Sequence, residues 1–394
     1  MLTYLLARNG VPVVLLEAHQ DFDRKFRGDT THPAILEVMA ELGLADRLHN
    51  LRHTKAYGPT VQTASGTIRP FDFRRLQTDF PYIMLVPQVD FLNFMVQEAQ
   101  QYPDFQLSMG ALVHDLIEEE GVVKGVRYRD GDGIHEVRAA VTIGADGRHS
   151  RVRHLGGFEP IKTSPPMDVL WFNLPRLPES PPVQGLFARL GAGLALILFE
   201  RVDHLQAGYI FAKGYYHELK ASGLDALKRS IVESEPRLEK HLTNLKSWRD
   251  FTLLSVESSR CPRWYQDGLL LIGDAAHVMT PAGGVGINYA IHDAIEAANV
   301  LTEPLRSDRL TTRHLRQVQR RRQWPTRFIQ AMQTFAQKTT CRPCPEFRRA
   351  AEDSLACTLA VKGSGHSRHP SSRHWLRHRQ VPCEVPCEVI EWPY

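Results

Sequence analysis

Apolar and polar residues along this chain follow two periods, and the switches between them outline an α/β protein. Leu2, Leu5 and Leu6 recur at helical spacing, Gly10 stands where a helix-ending left-handed residue belongs, and residues 11–16 form an apolar run that stops at Glu17. This pattern predicts a helix feeding a buried parallel strand. Pro33 opens a second helical pattern through Ile35, Val38, Met39 and Leu42, closed by Gly43. Residues 57–63 and 67–73, joined by Ser65-Gly66, predict a hairpin. Gln88 then leads a helix through Phe91, Met95 and Ala99. Residues 111–117 and 122–129 predict paired strands about Gly121, followed by a strand over 134–143. That strand ends in Gly144-Ala145-Asp146-Gly147, with Arg148 and Ser150 before a short helix.

Between Pro160 and Arg260 the pattern turns strand-rich and aromatic, with candidate strands at 169–174, 185–190, 194–200 and 204–211. Phe172, Phe187, Phe199, Tyr209 and Phe211 are either core or the lining of a pocket for a planar molecule. Pro236 predicts a helix start, residues 251–257 return as a strand, and Trp264-Tyr265 leads to an apolar run at 269–272. There follows Gly-Asp-Ala-Ala-His-Val-Met-Thr-Pro-Ala-Gly-Gly-Val-Gly-Ile-Asn, residues 273–288, with a helix opening at Gly286. Residues 311–338 form a long helical pattern broken near Pro325, basic at Arg320, Arg321 and Arg322 and apolar at Phe328, Ile329, Met332 and Phe335. It is expected to pack as a closing helix over 306–340. From Cys341 to Tyr394 neither period survives, so that tail is expected to be irregular or disordered.

Composition narrows the class. With 394 residues, 43% hydrophobic and 23% charged, the chain has the make-up of a soluble globular protein large enough for two domains. A net charge of +4 without a basic run interleaved with aromatics gives no reason to expect nucleic acid. The longest apolar runs fall far short of the roughly 20 residues of a membrane span. Arg8, Asn9 and Gly10 interrupt the first apolar stretch, which therefore does not read as a signal peptide. All six cysteines lie at or after Cys261, unlike a disulfide framework, which fits a reducing cytoplasm. Cys341-x-x-Cys344 and Cys383-x-x-x-Cys387 match no common zinc spacing, so no metal is expected.

The chemistry sits in residues 273–288. A strand ending in Gly-Asp, a loop with Pro281, Gly283 and Gly284, and a helix opening at Gly286 bring an acid and free backbone amides into one crevice. Strand carboxyl ends are where open α/β sheets hold nucleotides. A plain buried turn accounts for Gly-Asp alone. The whole block, with Asp274, His277, Pro281, Gly283, Gly286 and Asn288 at fixed offsets, resembles the FAD-binding segment of the aromatic-hydroxylase type of flavoprotein monooxygenase. Glu17, Gln88, Asp146-Gly147 and Gly273-Asp274 occur in the order that family requires.

The resemblance implies an α/β fold: a Rossmann-like FAD-binding domain (1–56, 86–160 and 259–305) with an inserted mixed β-sheet substrate domain (57–85 and 161–258). It implies FAD held by Glu17 at the adenosine ribose, Arg27 near the flavin and phosphates, Gln88 against the flavin, and the Asp146-Gly147 turn. Gly273 and Asp274 would meet the sugar chain, Pro281 and Gly283 would shape the oxygen site, and the helix start at Gly286, Ile287 and Asn288 would face the flavin. It further implies NADPH or NADH as a transient co-substrate, O2, and an aromatic, phenolic or polyketide-like small molecule that is hydroxylated. No catalytic base is assigned; His277, Tyr82 and Tyr209 are available types. The chain departs from the family in one respect: no strand with a Gly-x-Gly-x-x-Gly turn precedes Glu17, so Met1 reads as an internal methionine. Two alternatives follow, a flavoprotein of different chemistry such as a reductase, and a non-enzymatic remnant that has lost FAD. A halogenase is disfavoured because its Trp-x-Trp-x-Ile-Pro element is absent.

Overall fold

The computed structural model describes residues 1–23, 29–63, 65–177, 185–191 and 194–340; Arg27 and the cysteine-containing tail from 341 to 394 lie outside them. The helix Leu2–Arg8 delivers the chain through Gly10, at φ +70°, into the strand Val13–Glu17. That strand runs parallel to Phe105–Met109, in register from Val13 opposite Phe105 to Glu17 opposite Met109. A second parallel pair joins Thr142–Gly144 to Leu269–Leu271, so the two sequence motifs at 144–147 and 273–275 leave neighbouring strands on the same side. Between these pairs and the helices Leu2–Arg8, Gln88–Ala99 and Gly286–Arg306 lies one core, including Leu5, Leu6, Met39, Phe91, Met95, Leu270, Ile291 and Ala297. Three antiparallel strands, Leu112–Glu119, Val122–Arg129 and Ile134–Arg138, flank it.

The middle of the chain builds a seven-stranded mixed sheet. Its order is Phe251–Leu254, Met167–Pro175, His204–Ala212, Leu194–Glu200, Leu186–Gly191, Pro59–Thr63 and Gly66–Ile68, with Leu186–Gly191 parallel to Pro59–Thr63 and the other pairs antiparallel. Period-2 alternation divides its side chains between two faces. Leu170, Phe172, Leu196, Leu198, Tyr209 and Phe211 pack under Leu227 and Ile231 of the helix Leu224–Ser234. Val169 and Trp171 go to the opposite face, where Ile197, Phe199, Ile210 and Leu254 lie against them. Gly208 makes room there: a Cβ on it would lie 2.8 Å from Ile197 and 2.9 Å from the Trp171 ring.

Several elements differ from the sequence pattern, each for a physical reason. The strand predicted over 134–143 is two strands in different sheets, Ile134–Arg138 and Thr142–Gly144, because the first ends as the antiparallel edge and the second joins the parallel pair. Pro236 opens only a short 3-10 turn, Pro236–Leu238, while the helix proper precedes it; Glu235 is extended at φ −142°, as a residue before proline favours. The closing helix runs unbroken through Pro325, as Thr312–Thr340. The chain crosses that site at the loss of one ladder bond. What the closing helix turns inward is also not the apolar set. Gln319, Thr326, Gln330, Gln333 and Gln337 are buried, while Phe328 and Phe335 are 64% and 59% exposed. Among the described residues no helix is long and apolar enough to cross a membrane.

Candidate active site

The 281–288 loop and helix start are clasped by the short segment that follows residue 28. Thr30 Oγ1 donates to the Gly284 carbonyl at 2.7 Å, and Asn288 Nδ2 donates to Thr30 O at 2.9 Å and to Gly284 O at 3.0 Å. The His32 amide closes the set on Asn288 Oδ1 at 2.9 Å. Gly284 sits at φ +61°, and a Cβ there would lie 2.5 Å from Thr30 Oγ1, so both the backbone angle and the close approach require glycine. His32 is held neutral: burial pushes its imidazole down to about 4, against a raising contact from Gly283 backbone and with His292 adding to the depression. Its Nε2 is buried without a hydrogen-bond partner among the described residues.

A second network fixes the block from behind. Asp293, wholly buried on the helix Gly286–Arg306, accepts from the Gly273 amide at 3.0 Å, His277 Nε2 at 2.6 Å and Arg322 Nε at 2.7 Å. Burial alone would raise this carboxyl; His277 and Arg322 overcome it and hold it below the usual carboxylate range. The glutamines of the closing helix extend the same support. Gln330 Nε2 donates to Ser259 O and Val278 O, Gln333 Nε2 to Thr280 O and Ala282 O, and Gln337 Nε2 to Thr280 Oγ1. With its carbonyls bonded to this helix, the loop has its amide edge left for the other side.

The two strand-end motifs are stapled by Arg153. Its Nη1 donates to Asp274 O at 3.5 Å and Ala275 O at 3.1 Å, and its Nη2 to Arg148 O at 2.8 Å. Asp146 is absorbed by the helix Arg151–Leu155: one oxygen accepts from Ser150 Oγ, the other from the Arg151 and Val152 amides at 2.7 and 3.0 Å. Gly147, at φ +83°, turns the chain between them. The Glu17 carboxylate accepts the His19 amide at 2.9 Å. Gln88 begins its helix as expected, and its amide donates to Asp29 Oδ1 at 3.2 Å.

Asp29 leads to residues the sequence did not reveal. Its Oδ2 meets Arg201 Nη2 at 2.6 Å, and Arg201 Nε donates to Gln206 Oε1 at 3.1 Å across the turn between two sheet strands. Burial raises the Asp29 carboxyl despite Arg201, and burial likewise lowers the Arg201 guanidinium despite Asp29. Arg201 Nη1 is buried with no hydrogen-bond partner among the described residues. Gln206 pairs with Phe199 in register, so this guanidinium lies on the sheet face that carries Phe199 and Trp171; its centre is 5.8 Å from the Phe199 ring. An unbroken path therefore runs from sheet to Arg201, Asp29, Thr30 and Gly284. The only sequence signal was a charged residue at the turn of an apolar hairpin.

Of the five aromatics considered for a pocket, four belong to the helix-covered core: Phe172, Phe187, Tyr209 and Phe211. Phe199 alone lies on the opposite face, where Trp171 joins it at 6.0 Å between ring centroids. Strand parity, read strictly, separates these sets. None of the three candidate bases is available. Tyr209 hydrogen-bonds Ser230 within the core, Tyr82 bonds His49 Nε2 at 2.7 Å, and His277 is spent on Asp293.

The crevice fits a flavin on its own geometry. The helix Gly286–Arg306 has Val285 at its N-cap and no side-chain cap, so first-turn amides at Gly286, Ile287 and Asn288 are offered to an electron-rich ring edge. The space beside Gly283 is open, a Cβ there meeting nothing closer than 3.6 Å. Comparison with known proteins gives the family. Residues 1–332 match the family described as FAD binding domain. The chain is 33% identical over 368 residues to 6-methylpretetramide 4-monooxygenase of Streptomyces rimosus, covering 92% of this chain and 87% of that protein. It is 27% identical over 307 residues to rifampicin monooxygenase of Streptomyces venezuelae, covering 75% of this chain and 60% of that protein. Its fold is similar to the crystal structure of pqsL, a probable FAD-dependent monooxygenase from Pseudomonas aeruginosa, with a TM-score of 0.75 at 20% identity over 89% of this chain and 95% of that one. The chain belongs to the FAD binding domain family and is an FAD-dependent monooxygenase.

Proposed function

We propose that this enzyme hydroxylates a planar, multi-ring aromatic or polyketide-like molecule bearing an acidic oxygen, with NADPH or NADH as transient reductant, in a reducing cytoplasm. The observation that carries this reading is Arg201, whose unpartnered Nη1 lies between the Trp171 and Phe199 face of the sheet and the clasped 281–288 loop. An apolar wall with one buried cationic donor suits a flat ring carrying a phenolate or enolate oxygen. The relatives' names, 6-methylpretetramide and rifampicin, support the substrate class.

In this reading, residues 1–56, 86–160 and 259–305 hold the cofactor, and residues 57–85 and 161–258 hold the substrate. Bound FAD supplies the oxygen-activating chemistry. Glu17 receives the adenosine ribose, Asp274 the sugar chain, and Arg27 and Gln88 the flavin side, with the Asp146-Gly147 turn beside them. The amides at Ile287 and Asn288 stabilise negative charge at the ring edge, and Pro281 with Gly283 shapes the space above it. Arg201 holds the acidic oxygen in its ionised form and so keeps the ring electron-rich, its proton being released to solvent.

The test is titration of the full chain with FAD, followed by NADPH and NADH oxidation with a panel of polycyclic phenols. Bound flavin and substrate-accelerated oxidation are expected, with Arg201→Gln raising KM about tenfold for substrates with an acidic oxygen. A chain that takes up no FAD overturns the cofactor assignment. Flavin binding without acceleration across the panel points to reductase chemistry instead.

A further inference from the structure

From Gln319 onward the closing helix is turned inside out. An ordinary surface helix buries an apolar stripe and shows its polar face to water. Beyond the buried Leu315 and Val318 near its start, the buried side is the row Gln319, Thr326, Gln330, Gln333 and Gln337; Gln319, Gln330 and Gln333 donate to carbonyls of the 259–282 segment and Gln337 to the Thr280 hydroxyl, while Trp324 is 73% and Phe328 64% exposed on the other side. These two aromatics stand four residues apart, one turn along the same face.

Charge is equally one-sided. The segment Thr312–Thr340 contains six arginines and Lys338 and no Asp or Glu. Arg322 and Arg321 are committed to Asp293 and Glu296. Arg320 and Arg327 are exposed beside the aromatic pair, and the Arg327 guanidinium lies 5.8 Å from the Trp324 ring. A second copy of the helix would bring the same positive charge against itself. An anionic surface would complement it.

We propose that the Trp324 and Phe328 face of the closing helix docks on an anionic phospholipid bilayer, its aromatics entering the headgroup boundary and Arg320 and Arg327 pairing with lipid phosphates. Exposed Trp and Phe flanked by arginines, on a helix of low overall hydrophobicity, are the features of interfacial helices. The helix lies in the surface plane and does not span. Because its inner face is fastened to the 259–282 segment, docking seats the whole catalytic unit at the bilayer, where an apolar polycyclic molecule would also concentrate.

The experiment is co-sedimentation of the full chain with vesicles of phosphatidylcholine alone and with about 30% phosphatidylglycerol. Binding is expected on the anionic vesicles, about tenfold weaker on the neutral ones, and weakened by raising salt from about 0.1 to 0.5 M. Trp324→Ser with Phe328→Ser should abolish most of the binding, and Arg320→Gln with Arg327→Gln should remove the preference for anionic lipid. Circular dichroism and melting temperature should be unchanged in both variants, since all four side chains are exposed. Wild-type protein that stays in the supernatant at about 1 mM anionic lipid overturns the proposal. So does equal binding to both vesicle types, aromatic-variant binding like wild type, or a dimer in sedimentation that the aromatic variant dissolves.

Discussion

Two carboxylates, the wholly buried Asp293 behind the 281–288 loop and the partly buried Asp29 at the seam with the sheet, hold opposite sides of the same crevice. Each meets an arginine and a backbone amide. They nevertheless sit in opposite electrostatic states. Asp293 gathers three donors, and its acidity is strengthened against the burial that would weaken it. Asp29 gathers fewer; burial wins over Arg201, and the arginine keeps an unbonded nitrogen. The difference teaches where rigidity and reactivity lie. A saturated carboxylate fixes geometry, whereas an undersatisfied pair is poised to take a further partner.

The largest expected effect comes from breaking the saturated site. Asp293→Ala leaves Arg322 without its counter-ion and the Gly273 amide without an acceptor, and should cost about 3–5 kcal/mol of stability. Denaturant unfolding measures it. A loss under about 1 kcal/mol would show that the network does not hold the block. Acid should expose the same site: a carboxyl depressed in the fold contributes stability above its unfolded value and loses it as pH falls through its lower folded value, so this part fades below about pH 4.

His32 gives the next effect, in a separate pH window. Its folded value is about 4 against 6.5 unfolded, so the unfolded chain takes a proton first as pH falls. The clasp should therefore lose stability between pH 6.5 and 4, by at most roughly 3 kcal/mol and less to the extent that the ring meets solvent. His32→Asn should flatten that portion of the stability curve while leaving the loss below pH 4 from Asp293. A curve unchanged between pH 6.5 and 4 in this variant would remove His32 from the account.

Much of this was legible in the sequence. The strand, turn and helix at 273–288 followed from an apolar run, glycines at turn positions and a helical restart, and the structure puts each there. Asp146-Gly147 lay one strand away, as its strand-end position implied. Arg201 and Asp29 were not legible, because their meaning arises only when residues 172 apart are brought within 2.6 Å. The closing helix misled for a different reason. Periodicity shows that two faces exist, but which one faces inward depends on the partner surface, and here that surface is a row of backbone carbonyls that selects glutamine over phenylalanine.

Gln333 tests that last point at moderate size. Replacing it with Leu keeps the volume but leaves the Thr280 and Ala282 carbonyls without their donor. A loss of about 1–2 kcal/mol is expected, together with weaker FAD binding, since the loop would no longer be held with its amide edge outward. If Leu proved neutral in both measurements, the glutamine ladder would be incidental to the site.

The smallest effect on stability should come from the undersatisfied pair, and it sharpens the contrast most. Removing both charges together, Asp29→Asn with Arg201→Met, eliminates a desolvated ion pair whose attraction only partly offsets burial, so stability should change by less than about 1 kcal/mol in either direction. Substrate binding should suffer more, with KM for an acidic phenol rising about tenfold while FAD affinity holds, because the Thr30 and Asn288 clasp is untouched. The single Asp29→Asn change strands the guanidinium and should be the more destabilising of the two, a non-additivity that a double-mutant cycle reads directly. Should the double variant instead lose several kcal/mol, as Asp293→Ala does, both carboxylates would be scaffolding and Arg201 would have no claim on the substrate.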